Sequence, residues 1–313
     1  QFAIPIVVGL SVFGAALGGD PQIYVEGGVE KQTWLQNAGF IWVPFLIVSA
    51  AVAWFGMNDI ADMKASFREQ SVIFTRRHTW IMSWLYIGTF GSFIGYSAGF
   101  PLLMKSQFPE VNSLQFAFLG PLVGAISRAA TGWIADRYGG GRVTLWTFVL
   151  MIPGVAGVLA FLAMGSFWGF FAVFMVLFFL SGVGNASTFQ MIPAIMRKDM
   201  DRLMPLASVP DRLKEAEKES AAIIGFTSAI GAVGAFFIPT AYGTSISLTG
   251  GASAALWGFM AFYASCAVLT WFVYTRRGGH LWDIERGKAP APVNQSPLGH
   301  AVRSETGTAG KGK

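Results

Sequence analysis

One charged side chain lies inside the apolar stretches of this 313-residue sequence, and it is Arg128. A guanidinium at bilayer depth costs at least about 2.5 kcal/mol, so it is seldom found there without a partner, a water-filled cavity or an anionic ligand. Four other side chains reach the same level when residues are counted inward at about 1.5 Å per helical residue. Arg128 precedes Asp136 by eight residues, Tyr86 follows His78 by eight and Ser228 follows Glu219 by nine, which places all three about 12–14 Å deep. Phe90 is one helical turn from Tyr86, and Asn185 lies twelve residues before Arg197, again near the midplane. A guanidinium presents paired N–H donors that match a planar oxyanion, whereas Lys would supply charge without the fork. The Tyr86 and Ser228 hydroxyls can donate to the remaining oxygens, and Phe90 can pack against a flat ligand. Each residue also has a structural reading: Arg128 neutralised by carbonyls, Tyr86 and Phe90 as buried packing, Ser228 as a small residue at a helix contact.

Composition dictates how such residues must be held. Hydrophobic residues make up 53% and charged residues only 12%, with a mean hydropathy of +0.52, which excludes an ordinary soluble domain. Runs of about 20 apolar residues, the length that crosses about 30 Å of hydrocarbon, fall at 37–57, 79–104, 113–135, 144–163, 168–192, 220–242 and 253–275. An opening run over 1–18 reads as the latter half of one more helix. The expected fold is an all-α polytopic membrane protein. The lone cysteine, Cys266, lies in an apolar run, so neither a disulfide framework nor a cysteine metal site can be built. The stretch 276–313, rich in Gly, Pro, Ser and Ala, is expected to be a disordered tail.

Basic residues orient the spans. All but three of the 22 fall in the segments 58–78, 136–143, 193–219 and 276–313, and the exceptions are Lys31, Lys105 and Arg128. Positive residues in short loops mark the cytoplasmic side, so these segments, including the C-terminus, are expected there. The +5 charge is thereby explained by topology, and nucleic-acid binding is not expected. No span offers a carboxylate to neutralise Arg128. His78 reads as an interfacial residue, not a proton carrier, and no haem ligand lies within a span.

The loop after Arg128 reads Gly-Trp-Ile-Ala-Asp-Arg-Tyr-Gly-Gly-Gly-Arg from Gly132 through Asp136 and Arg137 to Arg142. It resembles the short cytoplasmic-loop signature of the major facilitator superfamily, whose Asp and Arg act as a latch between helices. GFTSAIGAVGAFFIPTAYG, Gly225 to Gly243, closely resembles the second nitrate signature of the NarK-type nitrate/nitrite porter family. LYIGTFGSFIGYSAGF (Leu85 to Phe100), LGPLVGAISR (Leu119 to Arg128) and GVGNASTFQMIP (Gly182 to Pro193) resemble that family's seventh, eighth and tenth helices. Ala235, where Gly is common, and Pro193, where a small polar residue is frequent, depart from the pattern.

The resemblance implies an organisation and a function. Residues 1–57 would be the end of an N-terminal bundle, with a partial helix five and helix six; 58–78 the central cytoplasmic loop; 79–275 a C-terminal six-helix transport bundle. Helices one to four and the start of helix five would then belong to an N-terminal half outside the sequence. Arg128, Tyr86, Phe90 and Ser228 match the family's substrate contacts, with Asn185 beside them, and Gly132, Asp136, Arg137, Arg142, Gly225, Gly231 and Gly234 are the expected gating positions. The implied activity is alternating-access transport of nitrate and nitrite by a monomer in a bacterial inner membrane, with no cofactor and no metal. The spans contain no Asp, Glu or His well inside the membrane, which favours nitrate/nitrite exchange over proton symport. A proton-coupled importer, or a same-fold transporter of another small anion, are the alternatives. An enzyme is not expected, because no paired carboxylates, His cluster or activated nucleophile lie in the spans.

Overall fold

A computed structural model describes residues 16–26, 29–34, 37, 40, 42–57 and 70–286. The expected partial span over 1–18 lies almost wholly outside the described residues, as do most of the central loop and the chain beyond 286. The first described element was not expected: an antiparallel hairpin of β1 (Gln22–Glu26) and β2 (Val29–Thr33), with Glu26 opposite Val29. The Gly27–Gly28 pair between two β-prone runs is its sequence signal. Helix α1 (Trp42–Gly56) is apolar throughout and buries none of its residues against the rest.

Six rods follow. They are α2 (Arg77–Gln107), the broken rod α3 (Leu119–Ala130) and α4 (Gly132–Tyr138), α5 (Gly140–Ala163), α6 (Phe167–Leu203), α7 (Val209–Thr249) and α8 (Ser253–Thr275). Five of these, α2, α5, α6, α7 and α8, are long and apolar enough to cross a membrane, so the chain is a multi-pass membrane protein. The expected span 113–135 is instead interrupted at Thr131, whose hydroxyl bonds the Ser127 carbonyl and whose backbone leaves the helical region. The central rod is α6, which packs on α3, α5 and α7, while α8 packs on α5 and α2 on α7.

Two expected boundaries are corrected. The segment 193–219 is not a loop: α6 runs on to Leu203 and α7 starts at Val209, leaving a five-residue connection. Apolarity locates where a helix crosses lipid, but charged residues continue a helix into water without penalty. Ser208 starts α7 as a side-chain cap, accepting from the Asp211 amide, with Pro210 in the first turn. Nor does the chain leave the fold at Arg276. Gly278, at φ +76°, turns it back, and the short helix α9 (Trp282–Arg286) follows, with Leu281 buried.

Small residues set the helix approaches. A Cβ on Gly234 would lie 2.4 Å from the Gly91 Cα, so α2 and α7 touch backbone to backbone. A Cβ on Gly182 would lie 3.0 Å from the Arg128 amide nitrogen, so α3 is pressed as closely onto α6. Without a hydrophobic force between helices in lipid, such approaches and interhelical hydrogen bonds supply the cohesion. Thr144 with Ser187 (2.7 Å), Ser92 with Tyr263 (2.8 Å) and Tyr96 with Tyr263 form those bonds between rods.

Candidate functional site

The packed face of α3 is Gly120, Gly124 and Ser127, all buried against α6. Ser127 locks it by donating to the Phe179 carbonyl at 3.1 Å. Arg128, one residue on, therefore points off that face, and it is exposed among the described residues. Its guanidinium carbon lies 5.3 Å from the centre of the Phe189 ring, and no carboxylate pairs with it among the described residues.

On α6, Asn185 and Phe189 are one turn apart and share a side. Asn185 is buried and accepts a hydrogen bond from the Tyr86 hydroxyl at 2.8 Å, while its own Nδ2 has no partner. Tyr86 stacks on Phe90 with centroids 5.1 Å apart and planes 22° apart, and packs on Phe189 at 5.0 Å. Between Tyr86 and Phe90 the helix widens into a π-turn over Ile87–Gly91, a local departure frequent at functional sites. Ser228 adjoins the Tyr86 phenol, and the Arg128 charge reaches it too. Ser228 also donates to its own helix at the Ile224 carbonyl, at 2.7 Å.

The five expected side chains thus form one constellation, joined through a sixth that residue counting overlooked. Phe189 touches both Arg128 and Tyr86; its signal was the four-residue spacing from Asn185. Gly231 makes the constellation possible, since a Cβ there would come within 2.7 Å of Tyr86 and 3.2 Å of Phe90. Gly234 serves the crossing with Gly91, whereas Gly225 faces open space. Chemically, the guanidinium and the unpaired buried amide N–H are the donors available on this aromatic floor, since the Tyr86 and Ser228 hydroxyls already donate to Asn185 and Ile224.

The loop residues are arranged differently from a simple Asp–Arg latch. The Gly132 carbonyl accepts from Gln190 at 3.1 Å, Asp136 is exposed with no ion pair among the described residues, and Arg137 lies over the Tyr138 ring at 5.7 Å. The bond that closes this corner comes from Glu285 on α9. Its carboxylate accepts from the Gly141 amide at 2.6 Å and sits 3.9 Å from Arg142. Gly139 sits at φ +92°, a backbone conformation that favours glycine, and its missing side chain leaves room for the Glu285 carboxylate. Burial pushes the Glu285 carboxyl above its ordinary range, opposed by the Gly141 amide and Arg142.

Two polar groups were invisible in the linear sequence. Arg76 forks onto Glu219 through bonds of 2.9 and 2.6 Å, and Glu219 is buried. His78 is not simply interfacial: it is buried, bonds Tyr274 at 3.0 Å and lies with its ring tilted 45° to that of His280 at 4.4 Å, with Asp199 3.4 Å from His280 and 4.0 Å from His78. The charges of Arg77, Arg202 and Lys198 also bear on these rings, so Asp199 serves as their counter-charge.

No family model matches the chain. Over 285 residues it is 48% identical to the nitrate/nitrite transporter NarU of Salmonella typhimurium and 46% identical to the NarU of Escherichia coli, in each case covering 88% of this chain and 60% of the relative. It is 38% identical to a protein named as a probable nitrate/nitrite antiporter, NarK2, of Thermus thermophilus, covering 89% of this chain and 60% of that one. The chain spans about three fifths of the length of these curated relatives. Matched in this way over nearly nine tenths of its length, the chain is a homologue of the NarU and NarK nitrate/nitrite transporters.

Proposed function

We propose that the chain forms part of a secondary transporter that moves nitrate and nitrite by alternating access, with the anion held at Arg128, Tyr86, Phe90, Asn185 and Ser228. The observation that carries this reading is Arg128, without an ion pair among the described residues, over the Phe189 ring, with Tyr86 packed on that same ring and bonded to Asn185, whose buried Nδ2 has no partner. A planar anion resting on that aromatic floor accepts from the guanidinium fork and from the amide, so the two groups left unsatisfied are satisfied together. Phe90 and Phe189 exclude water, which strengthens the attraction. The relatives' names support the substrate pair.

Exchange is the favoured mode. Among the described residues no Asp, Glu or His adjoins the constellation, and a bound anion relieves the Arg128 charge during the switch between states. The closely touching Gly91 and Gly234 backbones give α2 and α7 a smooth contact on which to rock. The chain would work as a monomer in a bacterial inner membrane, with Glu285 and the basic loop segments on the cytoplasmic face, and it would transport rather than catalyse. The test is nitrite-driven uptake of labelled nitrate into liposomes holding the complete gene product, comparing the parent with Arg128→Lys. Loss of at least about tenfold in a folded variant is expected, because Lys keeps the charge and loses the fork. Undiminished exchange would remove Arg128 from anion recognition.

A further inference from the structure

Away from the anion constellation, the ends of three rods flank an open cavity of about 410 Å³ whose lining includes Arg77, Arg202, Arg276 and His280 and no carboxylate. Arg77 is the first residue of α2, Arg202 lies in the last turn of α6, and Arg276 directly follows α8. None of the three arginines is ion-paired among the described residues. Arg276 leans on the Phe272 ring at 5.4 Å, which fixes its direction, and the charges of Arg77 and Arg202 both reach His78 behind the cavity. A cation in the first turn of a helix opposes the helix dipole, so Arg77 is not placed there to stabilise α2. Three like charges collected around one hollow repel one another, and the single carboxylate of Asp199 beside His280 offsets them only in part, so entry of an anion is favoured.

We propose that this cavity binds the phosphate of an anionic phospholipid. The arginines stand at the ends of membrane-spanning rods, the level of lipid headgroups, and basic pockets between helices on that side take such headgroups. Ile81, Phe272 and Val273 line the same cavity and continue from it along the spans, which suits the start of the acyl chains and not a free ion. The Arg202 and Arg276 charges attract the phosphate oxygens, a role that a Lys point charge also fills.

The test is native mass spectrometry of the full chain released from mild detergent, titrated with phosphatidylglycerol or with phosphatidylcholine of the same acyl chains. Phosphatidylglycerol should bind the parent at least about tenfold more tightly than the Arg202→Gln/Arg276→Gln variant, with phosphatidylcholine weak in both. Arg197→Gln/Lys214→Gln, which removes the same charge outside the cavity lining, should bind phosphatidylglycerol as the parent does. Arg202→Lys/Arg276→Lys provides the test if the neutral pair melts early, and it should stay within about threefold of the parent. Equal weakening by the two charge-neutralising pairs would reduce the effect to general surface charge and overturn the site. Displacement of the lipid by millimolar inorganic phosphate would overturn the lipid assignment in favour of a soluble phosphate.

Discussion

Gly231→Ala against Gly225→Ala tests the constellation most directly, because the two glycines lie six residues apart on one helix in opposite surroundings. At Gly231 the new methyl would sit 2.7 Å from Tyr86 Cδ1 and 3.2 Å from Phe90 Cδ1, while at Gly225 it would meet nothing within 4 Å. Carbon atoms rest about 3.5–4.0 Å apart, so the Tyr86 ring must withdraw by about 1 Å. Its hydroxyl, 2.8 Å from Asn185 Oδ1, would then pass toward the limit of a hydrogen bond. Overpacking costs about 1–3 kcal/mol and a buried acceptor left without its donor about 1–3 kcal/mol. Because one movement causes both, the expected loss is about 2–4 kcal/mol in total. For a chain of this size that lowers the melting temperature by roughly 3–6 °C. Gly225→Ala should melt no lower than the parent, since Ala is favoured over Gly inside a helix by about 1 kcal/mol. Melting of the detergent-solubilised chain, followed by tryptophan fluorescence, reads both variants. A Gly231→Ala protein as stable as the Gly225→Ala one would refute the argument that Gly231 clears room for Tyr86.

Further outcomes follow from the polar contacts at the rod ends. Glu219→Gln removes one side of a forked ion pair whose carboxylate is buried and whose guanidinium is 22% exposed. Breaking a buried pair costs about 3–5 kcal/mol, and the solvent reaching Arg76 reduces this to about 2–3 kcal/mol, read as a lower denaturant midpoint. Arg76→Lys keeps the charge but loses the fork and should fall between that variant and the parent. Burial raises the Glu285 carboxyl above its ordinary 4.5, so the folded state holds that proton more tightly than the unfolded chain does. The resulting stability is fully present below the ordinary value and is lost as pH rises through the raised one. Glu285→Gln cannot titrate, so the stability of the parent relative to this variant should decline from about pH 4 toward neutrality in melting curves. A difference that grows with pH would show that the Gly141 amide and Arg142 outweigh burial.

The sequence by itself determined the membrane class and where the five long apolar rods lie, because hydrophobic length is a local property. It also carried the family, through motifs whose glycines and signature residues stand in fixed order. Where each helix ends was less legible: α6 continues through Arg197, Lys198 and Arg202 because solvated charges do not stop a helix, and hydropathy is blind beyond the lipid. Only the tertiary structure decided which residues meet. Phe189 joins Arg128 to Tyr86, Gly231 makes space for the stacked rings, and Gly234 lies on Gly91, all contacts between rods far apart in sequence. The same holds for Glu285 on Gly141, Glu219 on Arg76 and His280 on His78. Each is a polar group whose partner depends on how the rods are rotated and paired, and rotation is fixed by close packing of small residues, which no single helix records.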